Sequence, residues 1–508
     1  LNARQCILWG YSGLIVLTWL LYSPSLKGHF VYDDQWAIVR NPALTQSSLW
    51  RFWTDPSTGA DPASGLTQDV YRPLTVSSFA LSARLWGPHA RGWRWENLCW
   101  HLLNGVLCGL LFYRLGWRHP FTLIFLGGVF LLHPLQVSAV AWIYQRATLI
   151  SAAGCLLALL LFLSSKSRKN FKLMGGLAAL AAALCAKESA VVFPLLLAVL
   201  PVDAAQRTRK RIWFLSSSLL VLVFLAWRTH VLHGWSQIAD LPRSVTEKAV
   251  LTSMAFPQYL AKFILPMKLR ASYDLPVLSP SRVTFAGIGL LLSGVILFFI
   301  LRRTTQGWRW ALWFLCALLP MLPWAPIRAY FAERFVYVAL IGLAALGGLT
   351  LERYPRWRPF AVIWLMGLSL MTRVYSQAWI SEEHLWSWTV HQEPTNTFAH
   401  MCLAGAITDP VKAKAEYMEA LAHHPSAEMT LTAWNNLSVI ALAQHQDTEA
   451  LYWADQVLKR RPTHPQALYN RWRALKAHGD RQQAQALRRT LLQNPQIPHE
   501  LLQDDQQI

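Results

Sequence analysis

About eleven apolar runs, each long enough or nearly long enough to cross a bilayer, decide what this chain can fold into. They lie near 6–22, 97–113, 120–137, 146–164, 171–186, 188–203, 212–228, 283–301, 310–324, 332–350 and 358–373. Only Lys187-Glu188 divides the fifth from the sixth. Backbone groups in hydrocarbon must be satisfied inside their own segment, so runs of this length predict helices. Composition agrees: 15% of the 508 residues are charged, against about 25% in soluble domains. The expected class is all-α and polytopic. The first run lacks a small-residue cleavage site and reads as a retained anchor.

The formal charge of +20 gathers in short loops between the runs. Arg114 and Arg118 fill one; Lys166, Arg168, Lys169 and Lys172 the next; then Arg207, Arg209, Lys210 and Arg211. Arg302, Arg303 and Arg309, and finally Arg353, Arg356 and Arg358, complete the set. Every second loop is basic, which marks the cytoplasmic side. Topology therefore explains the charge better than nucleic acid, for which no recognition module is visible. The seven cysteines show neither a disulfide framework nor a zinc spacing.

The opposite face then receives outer loops 23–95 and 229–282 and everything beyond about residue 375. Within those loops, 48–53, 76–86 and 249–265 mix apolar with polar residues and read as interfacial helices, the last ended by Pro266. Residues 376–508 change to a soluble helical pattern. Pro425, Pro462 and Pro495 close successive units 37 and 33 residues apart, near the tetratricopeptide period of about 34. Such repeats stack into a surface for partner proteins.

Asp33, Asp34, His133, Arg146, Lys187, Glu188, Arg228, Asp274, Glu333 and Arg334 all fall outside the basic loops, on the outer face. Ionisable groups collected at one depth predict a shared cavity. The adjacent carboxylates Asp33 and Asp34 are the candidate acid/base centre, their side chains pointing apart if the chain there is extended. Arg146 and Arg334 are candidate phosphate ligands, since guanidinium pairs bidentately with phosphate. His133 is a further candidate at a helix break, and Lys268 and Arg270 lie where a lipid phosphate would arrive. Lys187-Glu188 reads as an ion pair at the outer mouth.

The run from Phe30 to Ile38, followed by Asn41-Pro42, resembles the first outer loop of the transmembrane-and-tetratricopeptide glycosyltransferases related to protein O-mannosyltransferases. Tyr71-Arg72-Pro73-Leu74, Asn97 with His101 and Asn104, His133 through Arg146, Lys187-Glu188 and Glu333 through Tyr337 are similar to their later landmarks. The resemblance implies a GT-C fold in residues 1–375, a periplasmic tetratricopeptide-like domain in 376–508, and Asp33 as general base with Asp34 as its partner. Arg146, Arg334, His133, Lys268 and Arg270, by residue type and position, are then the expected ligands of the donor phosphate. Glu333, Tyr337, Lys187, Glu188, Tyr71, Arg72 and His101 would support them, and Asp34 would hold a divalent metal if one binds. Eukaryotic members of that family have an acidic residue where Ser138 stands and often another near Thr148, and these departures point to a bacterial inner-membrane member. The implied activity moves a sugar, with inversion, from a polyprenyl-phosphate donor to a Ser or Thr hydroxyl of a secreted or pilus-type protein. Transfer to a lipid or polysaccharide, and a transporter or scaffold without chemistry, remain the alternatives.

Overall fold

The first helix, Ala3–Tyr22, starts where the Asn2 side chain accepts the Gln5 amide and the Gln5 side chain reaches back, a capping box. The computed structural model describes residues 2–62, 70–164, 170–234, 244–276, 279–302, 306–322, 324 and 329–492. Lys166, Arg168, Lys169, Arg303 and Pro495 lie outside the described residues. The chain divides into two compact units, Leu1–Leu385 and Trp386–Ile508. Every regular element among the described residues is helical.

In the first unit, three long helices keep apolar side chains outward. Ala3–Tyr22 exposes Leu8, Trp9, Val16 and Leu20; Arg207–Val231 exposes Leu215, Leu219, Leu222 and Val223; Arg358–Ala378 exposes Ile363, Met366 and Leu370. Stripes of this extent are liabilities in water and ordinary against lipid. The helix Arg146–Ser164 is the opposite, buried along most of its length. It packs on Asn170–Ala186, and a Cβ at Gly154 would stand 2.5 Å from the Ala179 carbonyl, so only glycine lets the two backbones meet.

Among the described residues, Ala3–Tyr22, Ile143–Ser164, Ala204–Val231 and Pro355–Ala378 are long and apolar enough to cross a membrane unaided. A fifth counts if Pro120–Leu132 and Pro134–Ala141, bent by 43°, form one span. The eleven runs read from hydropathy thus include several that are not single helices. Run 188–203 is a 3-10 turn, Glu188–Val192, and the seven-residue helix Phe193–Val199. Run 310–324 has its helix only over Gly307–Leu318, and run 332–350 begins its helix at Leu340, after the turn Glu333–Val336. The breaks fall at His133-Pro134, Lys187 and Glu333, where polar groups take up side-chain bonds described below.

The interfacial pieces form as Arg51–Thr54, Pro73–Trp86 and Val245–Ile264, the last begun by a Ser244–Glu247 capping box. Ile38, Phe52, Phe79, Trp93 and Ile143 bury together and fasten the first outer segment to the helices beneath it. In the second unit the helices pair as Thr397–Ala406 with Pro410–Ala422, Ala427–Ala443 with Asp447–Arg460, and Pro465–His478 with Arg481–Leu492. Fully buried alanines, among them Ala433, Ala450, Ala454, Ala467 and Ala474, allow that close pairing.

Candidate functional site

Asp33 and Asp34 follow a strained residue. Tyr32 has φ +57°, the left-handed region, which costs a bulky side chain on the order of 1 kcal/mol. Its N–H donates to Glu382 Oε1 at 2.6 Å, and its ring stacks on Trp142 with centroids 4.8 Å apart. Beyond Asp34 the chain coils into the π-helical turn Gln35–Val39. The pair therefore sits in a tight turn and not in extended chain, and its two carboxylates take different partners.

Asp34 is fully buried and clamped by backbone. Its Oδ1 accepts the Tyr144 N–H at 2.8 Å and its Oδ2 the Val31 N–H at 3.1 Å. Burial pushes this carboxyl up to about 7, against the pull of the two N–H bonds and of Arg94. With each oxygen accepting a backbone N–H, Asp34 ties the first loop to the turn Ile143–Gln145. Among the described residues, no three His, Cys, Asp or Glu side chains converge as metal ligands would.

Asp33 is half-buried and keeps one light partner, the Trp36 indole, which donates to Oδ1 at 3.1 Å. Burial pushes its carboxyl up to about 6; Arg334 and Arg72 pull it down and Glu382 pushes it up. A carboxyl of that strength is mostly ionised at pH 7 and still accepts a proton readily. Arg334 lies over the Trp142 ring at 5.0 Å and the Phe335 ring at 5.2 Å, in no ion pair among the described residues.

Lys187 and Glu188, read from the sequence as one ion pair, part company. Glu188 takes Arg72 in a fork, Nε to Oε2 at 2.9 Å and Nη2 to Oε1 at 2.5 Å. Lys187 turns the other way and donates to Thr148 Oγ1 at 2.7 Å and Gln145 Oε1 at 3.4 Å. Both Lys187 and Arg334 line a cavity of about 40 Å³, with Ser151 and Ser189 beside them and Cys155, Val192, Leu196 and Met321 among the other residues of its wall.

The other candidates lie elsewhere. Arg146 is buried, and all three of its nitrogens donate within the protein. Nε bonds Asn97 Oδ1 at 3.0 Å, Nη1 bonds Ser82 Oγ at 2.6 Å and pairs with Glu96 at 2.8 Å, and Nη2 bonds the Trp93 carbonyl at 3.2 Å. Its guanidinium, expected to meet a phosphate, is committed to partners within the protein. His133 accepts the Leu135 N–H on Nδ1 at 3.2 Å and donates from Nε2 to the Phe263 carbonyl at 2.9 Å, so its ring is likewise used up. His101, Asn104 and Tyr337 form an interior lock: the Tyr337 hydroxyl is 2.8 Å from His101 Nδ1 and 3.2 Å from Asn104 Nδ2.

Glu333 is buried and accepts the Arg270 N–H at 2.8 Å and the Tyr273 hydroxyl at 2.6 Å, pinning the end of the second outer segment. Arg270 lies over the Tyr273 ring at 4.5 Å, and Lys268 is exposed. Tyr71 joins Trp53 and Trp227, each at 2.9 Å. The structure thus brings together Asp33, Arg72, Glu188, Lys187 and Arg334, while Arg146, His133 and His101 spend their nitrogens on other partners within the protein. Sequence reasoning missed Tyr144, Arg94, Trp142 and Glu382. Arg94 donates to the carbonyls of Ala141 (2.9 Å) and His29 and faces Asp34; nothing in its local sequence marks it.

Part of the chain is similar to curated proteins named protein O-mannosyl-transferases. It is 31% identical over 159 residues to TMTC1 of Homo sapiens, covering 31% of this chain and 18% of that protein. With Tmtc1 of Drosophila melanogaster it shares 32% over 203 residues, 37% of this chain and 22% of that one. The F38B6.6 protein of Caenorhabditis elegans is 30% identical over 160 residues, 30% and 23% of the two chains. The chain thus aligns with about a fifth of the length of these relatives, and its relationship to them is supported over about a third of its own. No family model matches it, and no solved structure does.

Proposed function

We propose that this chain is a membrane-embedded glycosyltransferase of the GT-C type, moving a sugar from a polyprenyl-phosphate donor to a Ser or Thr hydroxyl of a protein. In this reading the apolar runs make about eleven crossings, counting the broken ones. Asp33 faces the periplasm of a bacterial inner membrane, and the three C-terminal helix pairs are tetratricopeptide-like units that dock the acceptor. One observation carries the proposal: Asp33 stands half-buried on a strained turn, within electrostatic reach of two arginines that it does not bind. A base so placed is poised for a ligand that brings its own negative charge.

Asp33 takes the proton from the acceptor hydroxyl as that oxygen attacks the anomeric carbon. The bond from that carbon to the phosphate oxygen breaks on the far side, so the configuration inverts. The departing phosphate gains a negative charge, which Arg334 and Lys187, both on the wall of one small cavity, would meet. Asp34 holds the loop to Tyr144 and is not the base. The names of the relatives support mannose as the first sugar to try.

The test is mass spectrometry of outer-face proteins from cells making the wild-type chain or Asp33→Asn. Hexose on Ser or Thr that appears only with the wild type is the expected result. Equal modification by both chains would sink the assignment.

A further inference from the structure

Five described non-glycine residues adopt positive φ: Tyr32, His233, Lys268, His424 and His445. Tyr32 alone among them adjoins the acid pair, and its N–H bonds to a segment 350 residues away. Glu382 Oε1 accepts its N–H at 2.6 Å. Just before it, the His29 N–H donates to the Ile380 carbonyl at 2.8 Å, and a Cβ at Gly28 would meet that carbonyl at 2.7 Å. The strand of chain leading to Asp33 therefore lies against 380–382 with no room to spare.

We propose that Glu382 is a positioning residue for Asp33: its carboxylate holds Tyr32 in the left-handed turn that sends Asp33 away from Asp34 and towards the arginines. The proposal rests on the reading of Asp33 as the base. Without an acceptor at that N–H, Tyr32 would relax to negative φ, and the peptide that carries Asp33 would rotate with it. Glu382 has a second effect through its charge. The groups around Asp33 are Asp34 on its own turn, Arg72 before the helix Pro73–Trp86, Tyr144 on the turn Ile143–Gln145, Arg334 on the turn Glu333–Val336, and Glu382. Two arginines weaken Asp33 as a base, and Glu382 offsets part of that.

Glu382→Gln keeps an acceptor oxygen and removes the charge; Glu382→Ala removes both. Full-length protein in detergent is examined by hydrogen exchange of the peptide covering residues 29–38. The pH profile of transfer is measured from a short-chain polyprenyl-phosphate mannose to a Ser/Thr peptide. Expected for Glu382→Gln are unchanged exchange and an acid limb moved to lower pH. Expected for Glu382→Ala are faster exchange in that peptide and kcat lowered about tenfold or more at unchanged KM, consistent with a misplaced base. Wild-type exchange and kcat in Glu382→Ala would overturn the proposal, as would an unmoved limb in Glu382→Gln. A fall in melting temperature that accounts for the whole loss would do the same. If the wild type itself transfers no sugar, the reading of Asp33 fails; the exchange data then decide by themselves whether Glu382 holds the turn.

Discussion

Arg146 and Arg334 are both arginines at breaks between helices, both lie over aromatic rings, and both fit a phosphate in a sequence reading. Their surroundings separate them. Arg146 spends its nitrogens on Asn97, Ser82, Glu96 and the Trp93 carbonyl, and is almost wholly buried. Arg334 rests on Trp142 and Phe335 beside a cavity, with Asp33 near enough to feel its charge. A buried cation that has satisfied itself within the protein holds helices together. One left over rings and a cavity is available to something that arrives.

The largest effect should come from removing the brace. Arg146→Met leaves Glu96 without its cation and uncaps Ser82 and Asn97, and breaking a buried pair from one side costs about 3–5 kcal/mol. Scanning fluorimetry in detergent should show a large drop in melting temperature, with activity lost along with the fold. Arg334→Ala should do the reverse: melting nearly unchanged, kcat/KM for lipid-phosphate donor down about a hundredfold, the usual range for one charge-stabilising donor. If Arg334→Ala melted as early as Arg146→Met, the distinction between the two sites would be lost.

Much of this contrast was out of reach of the sequence. Arg146 follows the landmark that begins at His133, and its guanidinium and position marked it as a phosphate ligand; its carboxylate partner Glu96 is fifty residues upstream and unmarked. Lys187 and Glu188 are adjacent and opposite in charge, so a pair was the natural reading, but a 3-10 turn begins at Glu188 and sends them to different partners. The apolar runs were legible because hydropathy is a local property. Their breaks at His133, Lys187 and Glu333 depend on bonds to distant segments and were not. The acid pair drew attention through its aromatic flank, whereas the bond from the Tyr32 N–H to Glu382, 350 residues along the chain, left no local mark.

A smaller effect distinguishes the two carboxylates. Asp34→Asn must turn an amide N–H towards one of two backbone N–H donors, so one of the bonds from Val31 and Tyr144 is lost. Losing a buried bond of this kind costs about 1–3 kcal/mol, offset in part because a buried charge is also removed. A modest fall in melting temperature with KM for donor unchanged is expected. Asp33→Asn, with only the Trp36 indole to lose, should melt like the wild type and fail to transfer.

The mildest test is pH. Burial holds Asp33 near 6 and Asp34 near 7, above the unfolded value of about 3.9. A raised carboxyl binds its proton more tightly in the folded state. The stability these groups contribute is therefore full below about pH 4 and is lost as pH rises through 6 to 7. Activity should run the other way, since only ionised Asp33 accepts a proton: at pH 5 the rate should be about a tenth of its plateau above pH 7. Arg334 pulls Asp33 down, so in Arg334→Ala the acid limb of the residual activity should move to higher pH. The electrostatic partners of Arg146 are Glu96 and Asp34, so an Arg146→Lys chain that still folds should keep the wild-type limb. A limb that moved equally in both would mean that Asp33 feels the two arginines alike, and that only one of them touching the cavity makes no chemical difference.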